Sequence, residues 1–600
     1  MAPGGGAADG AGSGSDSSRY WRWSKADFFP EPSFSSWSSY ASALSQTFPR
    51  LRSRLLRRSS SSAELRLLPL RSHHALRRCL SWWDLAWLGF GAVVGSGVFV
   101  LTGLEARENS GPAVVLSYAA AGFTALLSVF CYTEFAVEIP VAGGSFAYLR
   151  VELGDLVSYL AAANILLEAV VGAAGIARSW TSYFAALLDR PPDSLRIPAP
   201  ALADGFNLLD PIAVVALVTC SAIAASGTRL TSALNWVTSL VGVAVIAFII
   251  GAGSTRADSS NLSPFFPFGA RGVFRAAGVV YWSYTGFDMV ATMAEETRNP
   301  ARDIPIGLLG SMVSITVVYC AMALVLCSMQ SYAVLDPDAA YSVAFAAVGM
   351  RWAKYLVALG ALKGMTTGML VGALGQGRYT TQIARAHMIP PYFALVHPRT
   401  GTTVHATILV TGASACIALF SSLDVLATVS SISTLFVFML VAVALLVRRY
   451  YAAGHTQPAH RNLLVAFLLL ILLSSVATAA YWATGKDGWV PYVVTGPVWF
   501  LSTLGLHLLV PKAREPKLWG VPMVPWLPSA SIGINIFLLG SIDAKSFMRF
   551  GAWTAFLLLY YFFIGLHSSY DTAKASAAAA AAEPAKRLEE GTAPPPVASR

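Results

Sequence analysis

The sequence predicts an all-α, polytopic membrane protein with about 14 transmembrane helices, the first and sixth of them discontinuous. The first observation is composition: of 600 residues, 55% are hydrophobic and only 12% are charged, whereas soluble domains carry about 25% charged residues. The second is that apolar residues occur in runs of roughly 20, the length that crosses a ~30 Å hydrocarbon layer. The third is a pair of glycine-containing polar stretches inside two of these runs. This pattern excludes a water-soluble multidomain enzyme.

The apolar runs divide residues 79–570 into fourteen candidate spans. Most are rich in Ala, Leu and Val, and short segments with Pro, Gly or charged residues separate them, as expected where a transmembrane helix ends. The spans begin near Leu85, Ala113, Leu156, Leu209, Ala233, Gly272, Ile306, Tyr355, Thr403, Val425, Leu463, Val490, Pro525 and Gly551.

Two polar tails flank this region. Residues 1–78 are rich in Gly, Ser, Ala and Arg and hold 12 of the 42 Lys and Arg, so we expect a disordered, basic, cytosolic tail. An alternative for residues 50–78, where Arg alternates with Leu, is a short amphipathic helix on an anionic leaflet. Residues 571–600 are Ala-rich and then Pro-rich, and we expect a second disordered tail.

The basic residues concentrate in the segments that an amino terminus in the cytosol would place on the cytosolic side. The positive-inside rule therefore predicts that both termini are cytosolic. The net charge of +10 thus reflects membrane topology and contact with membrane lipids, and we expect no nucleic acid partner.

The first span contains Gly95-Ser96-Gly97 near its middle, where a helix can unwind. Unwound backbone within a membrane must face protein, water or a ligand, so the break predicts a cavity whose free amides suit a carboxylate. The alternative is that these glycines only let another helix approach closely.

A second break, Tyr284-Thr285-Gly286-Phe287-Asp288, lies in the sixth span, five spans after the first. Corresponding breaks in two halves indicate a transporter binding site. Because five is odd, the second unit starts on the opposite side of the membrane, which gives a five-plus-five inverted repeat followed by four additional helices. Helix-end amides hold a carboxylate and facing carbonyls hold an ammonium, so the head of an amino acid fits.

Few charges lie inside the spans, and each costs at least ~2.5 kcal/mol to insert. Glu168 is the deepest carboxylate and Asp288 follows the second break, and both suit cation attraction or proton exchange. The alternative for each is a buried ion pair that only orients helices. Arg178 and Lys363 are the basic counterparts, with structural and functional roles both open.

Several motifs resemble the amino acid, polyamine and organocation superfamily of permeases. They are Gly95-Ser96-Gly97-Val98-Phe99, Thr133-Glu134-Phe135, and residues 140–148, which read PVAGGSFAY. Residues 286–305, with GFD, AEETRNP and RDIP in that order, resemble the cationic amino acid transporters, and residues 377–390 are similar to their plant subgroup. The resemblance covers roughly residues 81–570.

The resemblance implies roles by position. Gly95, Ser96 and Gly97 would receive the substrate carboxylate. Tyr284, Thr285 and Gly286 would offer carbonyls to its ammonium, while Phe287 and Asp288 would flank the side-chain pocket. Glu168, Asp288 and Arg229 are the candidates for proton or cation coupling. Some relatives have a lysine in span five that replaces a sodium ion, and Arg229 stands in that neighbourhood here.

The expected function is secondary active import of cationic amino acids of the arginine and lysine class. Alternating access would be driven by membrane potential, with proton cotransport as a further option. Two alternatives stay open: a neutral amino acid or polyamine permease of the same fold, and an amino acid receptor without appreciable flux.

No catalytic set, cofactor or metal site is expected, because the sequence contains no phosphate-cradling loop, metal-ligand cluster or nucleophile with a base. The expected location is the plasma membrane, with the vacuole or another internal membrane as the alternative. Oligomeric state stays open.

Overall fold

The computed structural model describes residues 20–575, apart from 22–23, 55–79, 141–143, 204, 227, 398–399 and 487, together with residue 578. The arrangement is almost entirely helical. Three short helices come first: α1 (Lys25–Phe28), α2 (Trp37–Ser45) and α3 (Thr47–Arg54). A two-residue antiparallel pair, β1 (Ile197–Pro198) and β2 (Leu208–Leu209), lies in a loop.

The remaining helices form the membrane domain and follow in chain order. They are α4 (Trp82–Val93), α5 (Ser96–Glu105), α6 (Val114–Glu138), α7 (Gly144–Glu152), α8 (Asp155–Leu187), α9 (Pro211–Ser226), α10 (Thr228–Ser254), α11 (Gly269–Val280), α12 (Phe287–Ala291), α13 (Pro300–Met329), α14 (Ala340–Ala347), α15 (Arg351–Arg385), α16 (Val404–Phe420), α17 (Leu423–Tyr450), α18 (Pro458–Ala483), α19 (Val490–Leu509), α20 (Trp526–Ser541) and α21 (Ala544–Tyr560).

Among the described residues, eight helical stretches are long and apolar enough to cross a membrane, and four shorter helices are also apolar. In the most apolar window of α17, 78% of residues are buried within the protein, whereas for α19 the share is 17%. Because an apolar helix face that is not covered by protein needs lipid, α17 lies at the centre and α19 at the periphery. The prediction of an all-α polytopic membrane protein is confirmed at this level.

The segment of residues 24–54 differs from the disordered tail that we predicted. Glu31 bonds His387 at 2.6 Å, and Arg54 forms a buried ion pair with Asp155 at the start of α8. The backbone amide of Ser33 donates to Asp571 at 2.8 Å. Aromatic residues of this segment also pack against the rest of the protein, since the ring centroids of Phe28 and Tyr392 lie 4.6 Å apart in a stacked arrangement. Of the alternative amphipathic helix over residues 50–78, positions 55–78 lie outside the described residues.

Candidate functional site

The first interruption separates α4 from α5. Val94 and Gly95 leave the helical conformation, with φ/ψ of −76°/92° and −146°/−121°, and α5 begins at Ser96. The first amides of a helix have no partner within it. A side chain built on Gly95 would meet nothing within 4 Å, so this position borders open space.

The second interruption follows α11. A tight turn covers Tyr281–Tyr284, Thr285 is extended at φ −71° and ψ 156°, and α12 starts at Phe287. Gly286 lies between them with φ +112°, which an L side chain rarely adopts. The chain therefore depends on glycine here to turn from one half-helix into the next.

The two interruptions touch each other through their glycines. A Cβ on Gly97 would lie 2.7 Å from Cα of Ser283, and one on Gly286 would lie 2.8 Å from the carbonyl oxygen of Ala92. Both distances are too short for a side chain. Close backbone approach, the alternative that the sequence left open for the glycines of the first span, is thus one function of Gly97, and Gly286 shares it.

A small cavity of about 20 Å³, lined by both polar and apolar side chains, lies beside the second interruption. Glu168, Thr285 and Asp288 from the predicted set line it together, and Thr285 is within hydrogen-bonding reach of the Glu168 carboxyl group. The other lining residues are Tyr132, Ser145, Ile165, Ser433, Thr434, Val437 and Phe438. The volume suits a water molecule but not an amino acid, so a substrate of that size requires the surrounding helices to move apart.

The charge of the cavity favours a cation. Both ionisable carboxyl groups, Glu168 of α8 and Asp288 of α12, face it, and none of its ten lining residues is basic. In a low-dielectric surrounding, two carboxyl groups attract a positive charge far more strongly than they would in water. No group of three His, Cys, Asp or Glu side chains that could hold a metal occurs among the described residues.

The other predicted residues lie around this cavity or away from it. Phe287 is buried against Tyr132 and Phe438, with ring centroids 5.3 and 5.0 Å away, and forms a wall behind the cavity. Tyr284 points elsewhere, since its hydroxyl donates to the carbonyl of Tyr118 at 2.8 Å. The side chains of Ser96 and Arg229 lie outside the described part of the structure.

Arg178 is buried and bonds to backbone carbonyls, which indicates a structural role. It is 2% exposed, and its guanidinium donates to the carbonyls of Ala418 at 3.0 Å and Leu208 at 3.1 Å. These bonds join α8 to the end of α16 and to β2. The side chain therefore holds three parts of the chain together, and it is not among the residues that line the cavity.

Sequence reasoning missed the contribution of α17. Ser433 and Thr434 line the cavity, and Ser431 accepts a bond from the amide of Trp282 at 3.3 Å and donates to the carbonyl of Val279 at 2.7 Å, next to the second interruption. The available signal was the polar stretch of residues 430–434, SSIST, inside a span with mean hydropathy 2.5.

A polar network closes one end of the domain. Glu134 of α6 pairs with Arg449 of α17 at 2.8 Å and also accepts a bond from the amide of Val521 at 2.7 Å. Arg448 bonds Glu152 of α7 at 2.8 Å. These contacts fasten the end of α17 to α6 and α7.

Comparisons with known proteins match nearly the whole domain. The family model for amino acid permeases matches residues 80–507, and the model for the C-terminus of these permeases matches residues 519–569. Cationic amino acid transporter 5 of Arabidopsis thaliana is 61% identical, over 92% of this chain and 97% of that protein. From the same plant, cationic amino acid transporter 8, vacuolar, is 62% identical over 92% and 94%, and cationic amino acid transporter 6, chloroplastic, is 42% identical over 90% and 94%.

Proposed function

This chain belongs to the amino acid permease family and, within it, to the plant cationic amino acid transporters, and from that premise we propose that it imports arginine and lysine by alternating access. The resemblance noted in the motifs is confirmed, and the family is one of permeases, not of enzymes. The observation that supports a cationic substrate is the cavity that the carboxyl groups of Glu168 and Asp288 line together.

The proposed binding mode uses both interruptions. The amides at the start of α5, at Ser96 and Gly97 beside Gly95, receive the substrate carboxylate, and the carbonyls of Tyr284, Thr285 and Gly286 receive its ammonium. The charged end of the side chain extends toward Glu168 and Asp288, with Phe287 as a wall. The cavity is too small for this ligand, so the binding mode requires the surrounding helices to move apart.

Membrane potential supplies the driving force in this proposal. Each 100 mV contributes about 2.3 kcal/mol per elementary charge, so ~150 mV supports roughly 300-fold accumulation of a monovalent cation. A proton that enters with the substrate would add a second charge, and Glu168, Asp288 or Arg229 would carry it. The proposal includes the fourteen spans, the five-plus-five repeat within residues 79–570, and a plasma-membrane location with both termini in the cytosol.

The direct test is radiolabelled arginine uptake with simultaneous current recording in voltage-clamped oocytes, across external pH and without sodium. One charge per arginine at every pH indicates a uniporter, and two charges, with flux that rises as external pH falls, indicate proton cotransport. Protein at the surface that shows neither arginine flux nor current would contradict the proposal.

The Glu168→Gln variant tests the cavity itself. We expect the ratio of the maximal rate of arginine uptake to KM to fall at least tenfold in this variant, because an amide cannot attract the guanidinium as a carboxylate does. Asp424→Asn is the matched control, since Asp424 is an exposed carboxylate at the start of α17, a helix that also lines the cavity. Equal uptake by Glu168→Gln and the wild type, per copy at the surface, would make Glu168 a structural residue.

A further inference from the structure

Three buried tyrosines pack together behind the two interruptions. Tyr118 comes from α6, Tyr284 from the second interruption and Tyr319 from α13, and each has 0% exposure. The ring of Tyr319 lies 5.5 Å from that of Tyr118 and 5.2 Å from that of Tyr284. We call these three residues the tyrosine cluster. None of them lines the cavity, and the binding mode described above uses only the backbone carbonyl of Tyr284, so it gives the three side chains no role.

The hydroxyl of Tyr319 joins the two interruptions directly. Its oxygen is 3.0 Å from the carbonyl oxygen of Val93, the last residue of α4, and 3.0 Å from that of Ser283, in the turn before Thr285. A phenol has one proton to donate, so the two carbonyls share it in a three-centre bond. A single atom of α13 therefore fixes the distance between the backbones of the two broken helices.

The other members of the tyrosine cluster bond differently. The hydroxyl of Tyr118 pairs with Oγ1 of Thr102 at 2.9 Å, and that of Tyr284 donates to the carbonyl of Tyr118 at 2.8 Å. Within the cluster, Tyr319 is thus the member whose hydroxyl reaches backbone on both sides. The same two backbones also approach each other at Gly97 and Gly286. The two interruptions are therefore held together both by these close contacts and by the hydrogen bonds from the Tyr319 hydroxyl.

We propose that Tyr319 is a positioning residue that holds the two interruptions at the spacing needed to bind the ammonium and carboxylate of an amino acid. The inference rests on the proposed function and extends it to specificity. The head group is common to all amino acids, so Tyr319 sets affinity for the class, whereas Glu168 and Asp288 select the side chain. Without the shared proton, two buried carbonyls lose their donor and the interruptions move more freely, so the substrate must order them when it binds.

The test is Tyr319→Phe, measured as initial uptake of arginine and of lysine in oocytes and in proteoliposomes, normalised to the amount of folded carrier. We expect KM to rise about tenfold for both substrates by the same factor, with the maximal rate within about twofold of the wild type. A role in structure alone would lower the number of active copies and leave KM unchanged.

The matched control is Tyr183→Phe. Tyr183 is also buried, and its hydroxyl donates to the carbonyl of Phe99 in α5 at 3.0 Å, away from the second interruption. We expect KM within twofold of the wild type. The inference is overturned if Tyr319→Phe keeps the wild-type KM, if arginine and lysine shift by different factors, or if the variant cannot be recovered folded, since the hydroxyl would then serve folding. Absence of arginine flux in the wild type would contradict the proposed function instead.

Discussion

At the scale of single residues, the two interruptions can touch because Gly97 has no side chain. A methyl group on Gly97 would lie 2.7 Å from both Cα and Oγ of Ser283, where backbone cannot shift without moving the turn at residues 281–284. We therefore expect Gly97→Ala to separate the two broken helices and to lower the melting temperature of the detergent-purified protein by several degrees, with loss of arginine uptake.

Gly310→Ala is the control for this substitution. Gly310 lies within α13, and a Cβ there would meet nothing within 4 Å, so the change should be neutral or slightly stabilising because alanine favours a helix. If both variants melted and transported like the wild type, the two interruptions would not need to touch, and close approach would no longer explain Gly97.

The same scale shows what the sequence could predict about the site. Glu168 and Asp288 were identifiable because a carboxylate inside an apolar run is costly and therefore rare. Ser433 and Thr434 were not, because hydroxyl side chains in helices often bond their own backbone, as Thr434 does with the carbonyl of Ser430 at 3.0 Å, and so carry no such cost. Tyr319 was hidden for a related reason, since a tyrosine in a membrane helix is ordinary until its hydroxyl partners are known.

At the scale of elements, the sequence predicted the helices of the membrane domain but not which elements pack against one another. Apolar runs set the helices of the membrane domain because each must satisfy its own backbone in lipid. The short helices α1, α2 and α3 lack such runs, and tertiary contacts between charged and aromatic side chains order them. Amino-acid composition gives no information about tertiary contacts. The composition of a segment that folds only against other elements therefore resembles that of a disordered tail.

The attachment of residues 24–54 should depend on pH through Glu31. Burial by itself would raise the pKa of Glu31, but hydrogen bonds from His387 and Ser568 outweigh that effect and lower the pKa below its ordinary 4.5. A lowered pKa contributes stability that is present above about pH 4.5 and is lost as the pH falls through the folded-state value. We expect hydrogen exchange in α2 and α3, corrected for the intrinsic rate, to change little above about pH 5 and to accelerate as the pH falls from about 5 to about 3.

Glu31→Gln separates this effect from other acid-induced changes. The amide has no charge to lose, so the variant should exchange faster than the wild type at pH 6, and its exchange should change less between about pH 5 and about pH 3. An identical pH profile in both proteins would assign the attachment to the remaining contacts, such as the Arg54 pair with Asp155.

At the scale of the whole molecule, the cavity and the ion pairs at one end of the domain are separate parts of the structure. Two carboxyl groups line the cavity between α8, α12 and α17, while the Glu134 pair with Arg449 and the Arg448 pair with Glu152 hold the helices together at one end of the domain. A cation that enters must cross from one side of the membrane to the other, and its charge crosses with it. Membrane potential should therefore act on the complete cycle, whichever residue binds the substrate.

The quantitative expectation concerns steady-state arginine accumulation in proteoliposomes whose potential is set by potassium gradients and valinomycin. A cycle that moves one charge gains about 2.3 kcal/mol per 100 mV, so a change from −50 to −150 mV should raise the accumulation ratio about 50-fold. A cycle that also moves a proton gains twice that energy, and the ratio should rise about 2,500-fold and should respond to a pH gradient at constant potential. If the cycle moves one charge, liposomes that contain Glu168→Gln should reach the same final ratio as the wild type more slowly, because the variant changes rates and affinities but not the charge moved. If Glu168 carries a coupled proton, the variant should reach only the lower, one-charge ratio. A ratio that does not change with potential would mean that no net charge crosses, and import of arginine as a cation would be contradicted.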